Sequence, residues 1–141
     1  MNQNKKQQTI VFVCTENACR SQMAEAFAKI LKNSGIEVYS AGSKPTGKIN
    51  QQTILSMKAL NYDMGKHSSS GMDALPEITF DWLVTMGCGE QCPSIQAKYR
   101  VVWNIPDPKN MDPADFDWVR DLIQENVTHL IKAIQNNSTD T

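Results

Sequence analysis

Cys14 and Arg20 stand six positions apart, directly after a short run of β-branched and aromatic residues. Successive backbone N–H groups in a loop of this length can surround a tetrahedral oxyanion, and an arginine guanidinium can bind two of its oxygens at once. The thiolate is the nucleophilic form of cysteine, and the positive end of a helix that begins at such a loop favours it. The spacing therefore predicts that Cys14 is a nucleophile beside a bound, phosphate-like ion.

The pair alone is a weak signal, because a cysteine at the end of a strand is often a small buried hydrophobe. Its surroundings favour the catalytic interpretation: a strand precedes Cys14, a helical pattern follows Arg20, and the hydroxyl of Ser21 comes next. Asn17 suits a left-handed kink, and Ser21 can cap the helix and donate to the thiolate. The predicted oxyanion-binding residues are Thr15, Glu16, Asn17, Ala18, Cys19, Arg20 and Ser21.

Cys88 and Cys92 lie in a segment with two glycines, MGCGEQCP, after the third predicted strand. The three intervening residues allow the two sulfurs to meet if the segment curls, and the glycines supply backbone freedom. We interpret the pair as a site of thiol–disulfide exchange at the same sheet edge as Cys14. Two alternatives stay open: a pair of unreactive thiols, and a zinc site completed by His67 or Cys14.

A leaving hydroxide or alkoxide needs a proton donor, and two Asp-Pro pairs compete for that role. Asp112 precedes Pro113 where the last helix is predicted to begin, so helix capping accounts for it. Asp107 lies in the turn IPDPK after the fourth predicted strand and has no such structural duty. We therefore assign the general acid to Asp107, with a plain turn aspartate as the alternative.

Apolar periodicity predicts strands at 9–13, 36–40, 81–86 and 100–103, and helices at 21–33, 50–60 and 113–135. Residues 61–79 are predicted to be loop, with a short helix at most. Strands that alternate with helices predict right-handed crossovers, and hence an α/β three-layer sandwich with a four-stranded parallel sheet. The first strand–helix loop then lies at the carboxyl edge of the sheet, where such folds bind ligands.

Each helix is expected to bury one apolar stripe. The stripes comprise Met23, Ala26, Phe27, Ile30 and Leu31; Ile54, Met57 and Leu60; and Phe116, Val119, Ile123, Val127, Leu130 and Ile134. The whole chain, 1–141, is predicted to be a single domain, with disordered polar ends at 1–8 and 136–141.

Charge and hydropathy exclude several classes of function. The 14 basic and 15 acidic residues nearly balance, with no basic cluster beyond Lys5 and Lys6, which argues against a nucleic acid partner. No apolar run approaches the length of a membrane span and no signal peptide is recognisable, so we expect a cytoplasmic protein with no membrane partner. Four cysteines in a reducing compartment indicate metal binding or redox catalysis rather than a disulfide framework.

Nearly the whole sequence resembles the low-molecular-weight protein tyrosine phosphatase superfamily, and within it the thioredoxin-coupled arsenate reductases. The resemblance runs from about Thr9 to Ile134 and is most specific in CTENACRSQMAE, YSAG, GKHSS, TMGCGEQCP and PDP. Phosphatases of this superfamily usually carry proline where Gln22 stands, which favours the reductase branch.

The resemblance implies a relay of three thiols. Cys14 attacks arsenate, Cys88 attacks the Cys14 sulfur so that arsenite leaves, and Cys92 then forms a disulfide with Cys88. Thioredoxin or glutaredoxin would reduce that disulfide, while phosphate and sulfate compete for the anion site. No cofactor and no metal are implied, a monomer is expected, and Cys19 is interpreted as loop packing. The superfamily's general acid lies in a similar Asp-Pro pair, in agreement with Asp107.

The resemblance also implies that Ser40 and His67 support the loop from neighbouring segments. Some reductases of this family bind potassium at positions that match Asn17, Glu25 and Ser40, but the match is partial and no metal is predicted. Glu16 stands where the family often has glycine. A carboxylate there repels an oxyanion unless it points outward, so we expect Glu16→Gly to tighten oxyanion binding.

Two other functions stay open at the level of sequence. A phosphatase would need only Cys14, Arg20 and Asp107, with water resolving a phosphocysteine. Against it, no aromatic pair follows Asp107 and Pro108 to hold a substrate ring. A non-catalytic oxyanion-binding or redox-sensing module would use the disulfide as a switch.

Overall fold

A computed structural model describes residues 7–33, 35–87 and 95–139 of the chain. Strands alternate with helices in these ranges, as the periodicity predicts. In chain order the elements are β1 (Gln8–Cys14), α1 (Arg20–Leu31), β2 (Ile36–Gly42), α2 (Gln51–Lys58), β3 (Phe80–Thr85), β4 (Ala97–Val102) and α3 (Pro113–Thr139). Short 3-10 helices at Met64–Lys66 and Met72–Ala74 lie inside the segment predicted as loop.

The four strands of the described residues form one parallel sheet in the order β2-β1-β3-β4. The end of β1 pairs with the ends of both neighbours, Cys14 with Gly42 and Val13 with Thr85. The carboxyl ends of these strands therefore meet at one edge, which is where a doubly wound fold binds ligands. The predicted α/β fold with a four-stranded parallel sheet is confirmed.

β1 is apolar and fully buried from Ile10 to Val13, as expected of a central strand that is covered on both faces. The side chains of Ile10 and Phe12 pack in the larger core cluster, with residues of α1 and α3. Those of Val11 and Val13 point to the other face and form a second cluster. That cluster also contains Phe80, Leu83 and Ile95, with Tyr39, Met72, Leu75 and Ala97 packed against it.

α3 buries the predicted stripe, with Leu130 only partly buried, but the shorter helices depart from prediction. Four predicted core residues are exposed by 39–53%: Ile30, Leu31, Ile54 and Leu60. Ile30 and Leu31 lie in the last turn of α1, and Leu60 lies beyond the end of α2. At these positions helical periodicity no longer fixes which face is buried. α2 instead buries Thr53 and Ser56 beside Met57, because Thr53 Oγ1 donates to the Ala18 carbonyl in the loop after β1 (3.0 Å).

The predicted ends also need correction. Gln8 belongs to β1, where its N–H donates to the Gly35 carbonyl (2.8 Å), and α3 continues through 136–139. The helix can extend because no glycine or proline stands between Gln135 and Thr139. β4 covers 97–102 rather than 100–103. In the described ranges, no helix has the length and apolar character needed to cross a membrane.

Candidate active site

Residues 15–19 form the loop that joins β1 to α1, and buried Cys14 lies at its start. Backbone N–H groups of the segment 43–50 donate to four carbonyl oxygens of this region at 2.7–3.3 Å, those of Cys14, Thr15, Glu16 and Ala18. In a trans peptide, the N–H points away from the preceding carbonyl. The N–H groups of residues 15, 16, 17 and 19 are therefore turned away from that segment, as an oxyanion-binding loop requires.

Asn17 is fully buried and has a φ of 53°, the left-handed conformation predicted for it. Its side-chain amide donates to Ser21 Oγ (2.7 Å) and to Ser40 Oγ (3.1 Å). Its Oδ1 accepts the backbone N–H of Ser70 (2.8 Å). These contacts fix the kink between α1, β2 and the segment at Ser70, and they give Ser40 the supporting position expected of it.

Ser21 Oγ lies 3.0 Å from Cys14 Sγ. Because Asn17 already donates to this oxygen, the hydroxyl proton of Ser21 is free to donate to a Cys14 thiolate. The prediction that Ser21 caps α1 is wrong, since the helix begins at Arg20 and the N-cap position is Cys19, whose side chain makes no capping hydrogen bond. The N–H groups of the first turn are thus not used by a side-chain cap, which suits anion binding there.

Three segments hold the buried side chain of Arg20. Its Nη1 donates to the Ile105 carbonyl (3.1 Å), and its Nη2 lies 3.8 Å from Asp107 Oδ2. The guanidinium also lies against Gly87, where an added Cβ would be 2.5 Å from Nη1. The Gly87 carbonyl in turn accepts from Thr15 Oγ1 (2.8 Å). The arginine is therefore oriented by the ends of β3 and β4 as well as by its own helix.

A cavity of about 100 Å³ opens between these groups. Its lining comprises Cys14, Thr15, Glu16, Cys19, Arg20 and Asp107. The structure thus brings together the predicted nucleophile, guanidinium and acid, while Asn17, Ala18 and Ser21 are buried and do not line the cavity. The backbone carbonyl of the competing aspartate, Asp112, accepts the Phe116 N–H (2.8 Å), so Asp112 lies directly before the first turn of α3. A larger cavity of about 520 Å³, between 72–80 and 95–96, contains none of the predicted site residues.

Two titratable groups beside the loop have displaced pKa values. Burial raises the pKa of the Cys19 thiol to about 11, so this thiol stays protonated at neutral pH and fits the predicted packing role. Burial also acts to raise the pKa of Glu25, but hydrogen bonds from His67, Lys29 and Ser40 outweigh it and lower this pKa to about 2. Glu25 is therefore a carboxylate, and it already holds the Lys29 ammonium at 2.6 Å.

A partly buried chain of hydrogen bonds from Tyr62 to Asn17 supports the loop. His67 Nδ1 lies 2.9 Å from Gln22 Oε1, and His67 Nε2 lies 2.7 Å from Tyr62 Oη. Because an amide oxygen can only accept, Nδ1 of His67 donates to Gln22 Oε1. Gln22 Nε2 donates in turn to Asn17 Oδ1 (2.9 Å), so His67 supports the loop through Gln22. No local sequence pattern marked Tyr62.

The model of the low molecular weight phosphotyrosine protein phosphatase family matches residues 9–140. The chain belongs to this family. An arsenate reductase of Bacillus cereus is 39% identical over 129 residues, which are 89% of this chain and 93% of that protein. A solved arsenate reductase in the phosphate-binding state aligns with a TM-score of 0.78 and 29% identity, over 90% of this chain and 98% of that one. The thioredoxin-dependent arsenate reductase of Corynebacterium glutamicum aligns with a TM-score of 0.78 and 25% identity, over 95% of this chain and 65% of that one.

This chain has Glu16 at a position where the family often has glycine. Glu16 Oε2 accepts a hydrogen bond from Lys109 Nζ at 2.8 Å, which joins the loop after β1 to the turn that carries Asp107. The same lysine's backbone N–H donates to Asp107 Oδ1 (3.1 Å). The carboxylate of Glu16 is therefore paired, which the sequence did not reveal.

Cys88 and Cys92, the predicted thiol–disulfide pair, lie outside the described residues. The zinc site considered as an alternative for these two cysteines therefore falls outside them as well. Gly87, the last described residue before Cys88, contacts Thr15 and Arg20. In the ranges that the structure describes, no three His, Cys, Asp or Glu side chains are grouped so as to hold a metal ion.

Proposed function

We propose that this protein reduces arsenate to arsenite by a relay of Cys14, Cys88 and Cys92. The observation that carries the proposal is the position of Gly87, whose backbone contacts the loop after β1 and the side chain of Arg20. Cys88 follows this glycine directly in the sequence, which supports a role for its thiol together with Cys14. The similarity to arsenate reductases over most of the chain supports the same assignment.

In the first step, the Cys14 thiolate attacks the pentavalent arsenic of a bound arsenate. A sulfur–arsenic bond forms and one oxygen leaves, protonated to water by Asp107. The guanidinium of Arg20 and the loop N–H groups hold the remaining oxygens, and the Ser21 hydroxyl holds the sulfur before attack.

In the second step, the Cys88 thiolate attacks the sulfur of Cys14. A Cys14–Cys88 disulfide forms, the sulfur–arsenic bond breaks, and its electron pair passes to arsenic, which leaves as trivalent arsenite. The Cys92 thiolate then attacks the Cys88 sulfur, which frees Cys14 as a thiolate and leaves a Cys88–Cys92 disulfide. Two thiols are thus oxidised for each arsenate reduced, and no organic cofactor enters the balance.

An external dithiol completes the cycle by exchange with the Cys88–Cys92 disulfide, being itself oxidised to a disulfide. Thioredoxin is the reductant that we propose, since a structural relative is a thioredoxin-dependent arsenate reductase. A cytoplasmic location fits this cycle, because the resting thiols must be kept reduced.

A phosphatase is the second candidate, and the cavity itself favours it: Cys14, Arg20 and Asp107 suffice to form and hydrolyse a phosphocysteine. In that case Cys88 and Cys92 would have no role. Lys109 and Asn110 follow Asp107 and Pro108, so this turn supplies no aromatic ring to bind a phosphotyrosine side chain.

Replacement of Cys88 by Ser separates the candidates. We expect Cys88→Ser to abolish multiple-turnover arsenate reduction in the presence of thioredoxin, thioredoxin reductase and NADPH. Phosphate binding and any hydrolysis of p-nitrophenyl phosphate should persist, because the Cys14 cavity is intact. Equal loss of both activities, or loss of neither, contradicts the relay. Oxidation that stops after one equivalent in the wild-type protein would instead favour a redox-sensing module.

A further inference from the structure

Lys109 contacts two residues that line the oxyanion cavity. Its side chain donates to Glu16 in the loop after β1, and its backbone N–H donates to the carboxyl of Asp107. Glu16 and Asp107 both line the cavity, and their side chains are 32% and 54% exposed, so they lie at its rim. One residue therefore connects the two acidic groups at the cavity entrance.

Lys109 supplies the positive charge that faces Glu16 at the rim. Asp107 faces Arg20 at 3.8 Å, and Glu16 faces Lys109 at 2.8 Å. The hydrogen bond and the charge of Glu16 raise the pKa of Lys109, so the ammonium stays charged throughout the neutral range. Without it, the Glu16 carboxylate would be unpaired beside an entering oxyanion that is itself negative, and unit charges at such distances matter even with water nearby.

The ion pair has little to contribute to folding. Both side chains are partly exposed, and exposed pairs contribute little to stability because water and salt screen them and because two long side chains must be ordered. The field of Glu16, in contrast, acts on a ligand bound in the cavity that Glu16 itself lines. An unpaired carboxylate there opposes the loop N–H groups and the guanidinium that attract the anion.

We propose that Lys109 is a positioning residue for oxyanion binding: by holding Glu16 it removes the repulsion that this carboxylate would otherwise exert on the ligand. The assignment rests on the oxyanion site of the proposed function, though not on the thiol relay. It also gives a role to a glutamate that stands where the family often has glycine, because Glu16 and Lys109 together leave the rim no more negative than glycine would.

The test measures phosphate binding to the fully reduced protein by calorimetry, in the wild type and in four variants. Lys109→Met removes the ammonium and keeps the backbone N–H that Asp107 accepts. Glu16→Gln and the double variant Glu16→Gln/Lys109→Met complete the cycle, and Lys109→Arg retains the charge. Lys98→Met is the matched control, since Lys98 is similarly exposed and pairs with Asp81 (3.3 Å), which is not among the residues that line this cavity.

We expect Lys109→Met to weaken phosphate binding about tenfold, the scale of one uncompensated charge near an anion. The double variant should return to within about threefold of wild type, Glu16→Gln alone should bind phosphate more tightly, and Lys109→Arg and Lys98→Met should resemble wild type. A double variant as weak as Lys109→Met, or a Lys109→Met protein that binds like the control, overturns the proposal. Failure of the wild type to bind phosphate removes the oxyanion site and this assignment with it, whereas intact binding without arsenate reduction contradicts the relay alone.

Discussion

The guanidinium of Arg20 leaves no room for a side chain at residue 87. Gly87 has a φ of +86°, a conformation that L side chains rarely adopt, and a Cβ added there would be 2.5 Å from Nη1 of Arg20. Two separate facts therefore favour glycine at residue 87: the positive φ of its backbone and the closeness of the Arg20 side chain. Only the contact with Arg20 concerns the site, because the space at residue 87 sets where the arginine lies relative to Cys14.

The variants Gly87→Ala and Gly47→Ala separate the effect of backbone strain from the effect on Arg20. Gly47 has nearly the same φ, +83°, but an added Cβ there meets nothing within 4 Å. Both variants should lose about 1 kcal/mol of unfolding free energy through backbone strain, measured by urea denaturation. Only Gly87→Ala should displace Arg20 and weaken phosphate binding, by about tenfold or more. If the two variants bind phosphate equally well, the arginine does not depend on the space at residue 87.

At the same scale, local spacing was enough to predict three residues that line the Cys14 cavity, but not the contacts between distant residues around it. Cys14 and Arg20 belong to one loop, and Asp107 lies in an Asp-Pro turn that helix capping does not explain, so each could be proposed from its neighbours in sequence. The contact of Glu16 with Lys109 spans 93 residues, and that of Gln22 with His67 spans 45. Such pairs depend on how separate turns meet at the sheet edge, which no local pattern records.

Glu25 joins three elements. It lies on α1, accepts the hydroxyl of Ser40 on β2 (2.5 Å), and lies 3.5 Å from Nδ1 of His67, which follows a 3-10 helix. Hydrogen bonds to its charged form more than offset the cost of burial and lower its pKa from 4.5 to about 2. Its charge therefore stabilises the packing of α1 on β2 behind the loop.

The carboxylate of Glu25 should make the unfolding free energy depend on pH in the acidic range. The folded state binds fewer protons than the unfolded state between about pH 4.5 and pH 2, so the contribution of Glu25 is complete above this window and is lost as the pH falls through it. We expect wild type to lose up to roughly 3 kcal/mol across the window from this group, and Glu25→Gln to show a correspondingly flatter profile in urea titrations. Glu37→Gln, on an exposed position of β2, is the control. Parallel profiles for wild type and Glu25→Gln would contradict the assignment.

Element order and sheet type followed from the sequence because strands and helices alternate and β1 is apolar without interruption from Ile10 to Cys14. Most of the errors lie at element ends. Ile30 and Leu31 are apolar but occupy the last turn of α1, and α2 buries Thr53 because its hydroxyl supports the Ala18 carbonyl. Periodicity identifies the face of a helix interior, whereas its ends depend on what packs beyond them and on hydrogen bonds that the site requires.

At the scale of the whole molecule, the Cys14 cavity depends on residues at or after the ends of three strands. Cys14 ends β1, Gly87 follows β3, and Ile105 and Asp107 follow β4, with Arg20 in contact with the last three. None of these segments forms the cavity alone, so an unfolded chain has no comparable site. A ligand of the cavity must therefore stabilise the folded protein as a unit, by an amount fixed by its concentration and dissociation constant.

Phosphate should raise the thermal midpoint of the reduced protein for this reason. At 100 times its dissociation constant, the expected stabilisation is about 2.7 kcal/mol, or about 10 °C for a chain of this length. Phosphate also stabilises proteins non-specifically because it is excluded from their surfaces, so sodium chloride of equal ionic strength is an insufficient control. The variant Arg20→Lys is a better control, because it keeps the positive charge but loses the bidentate hydrogen bonding to the anion. Most of the rise in the thermal midpoint should disappear in this variant. A rise of equal size in Arg20→Lys would show that the stabilisation comes from the solvent and not from the cavity.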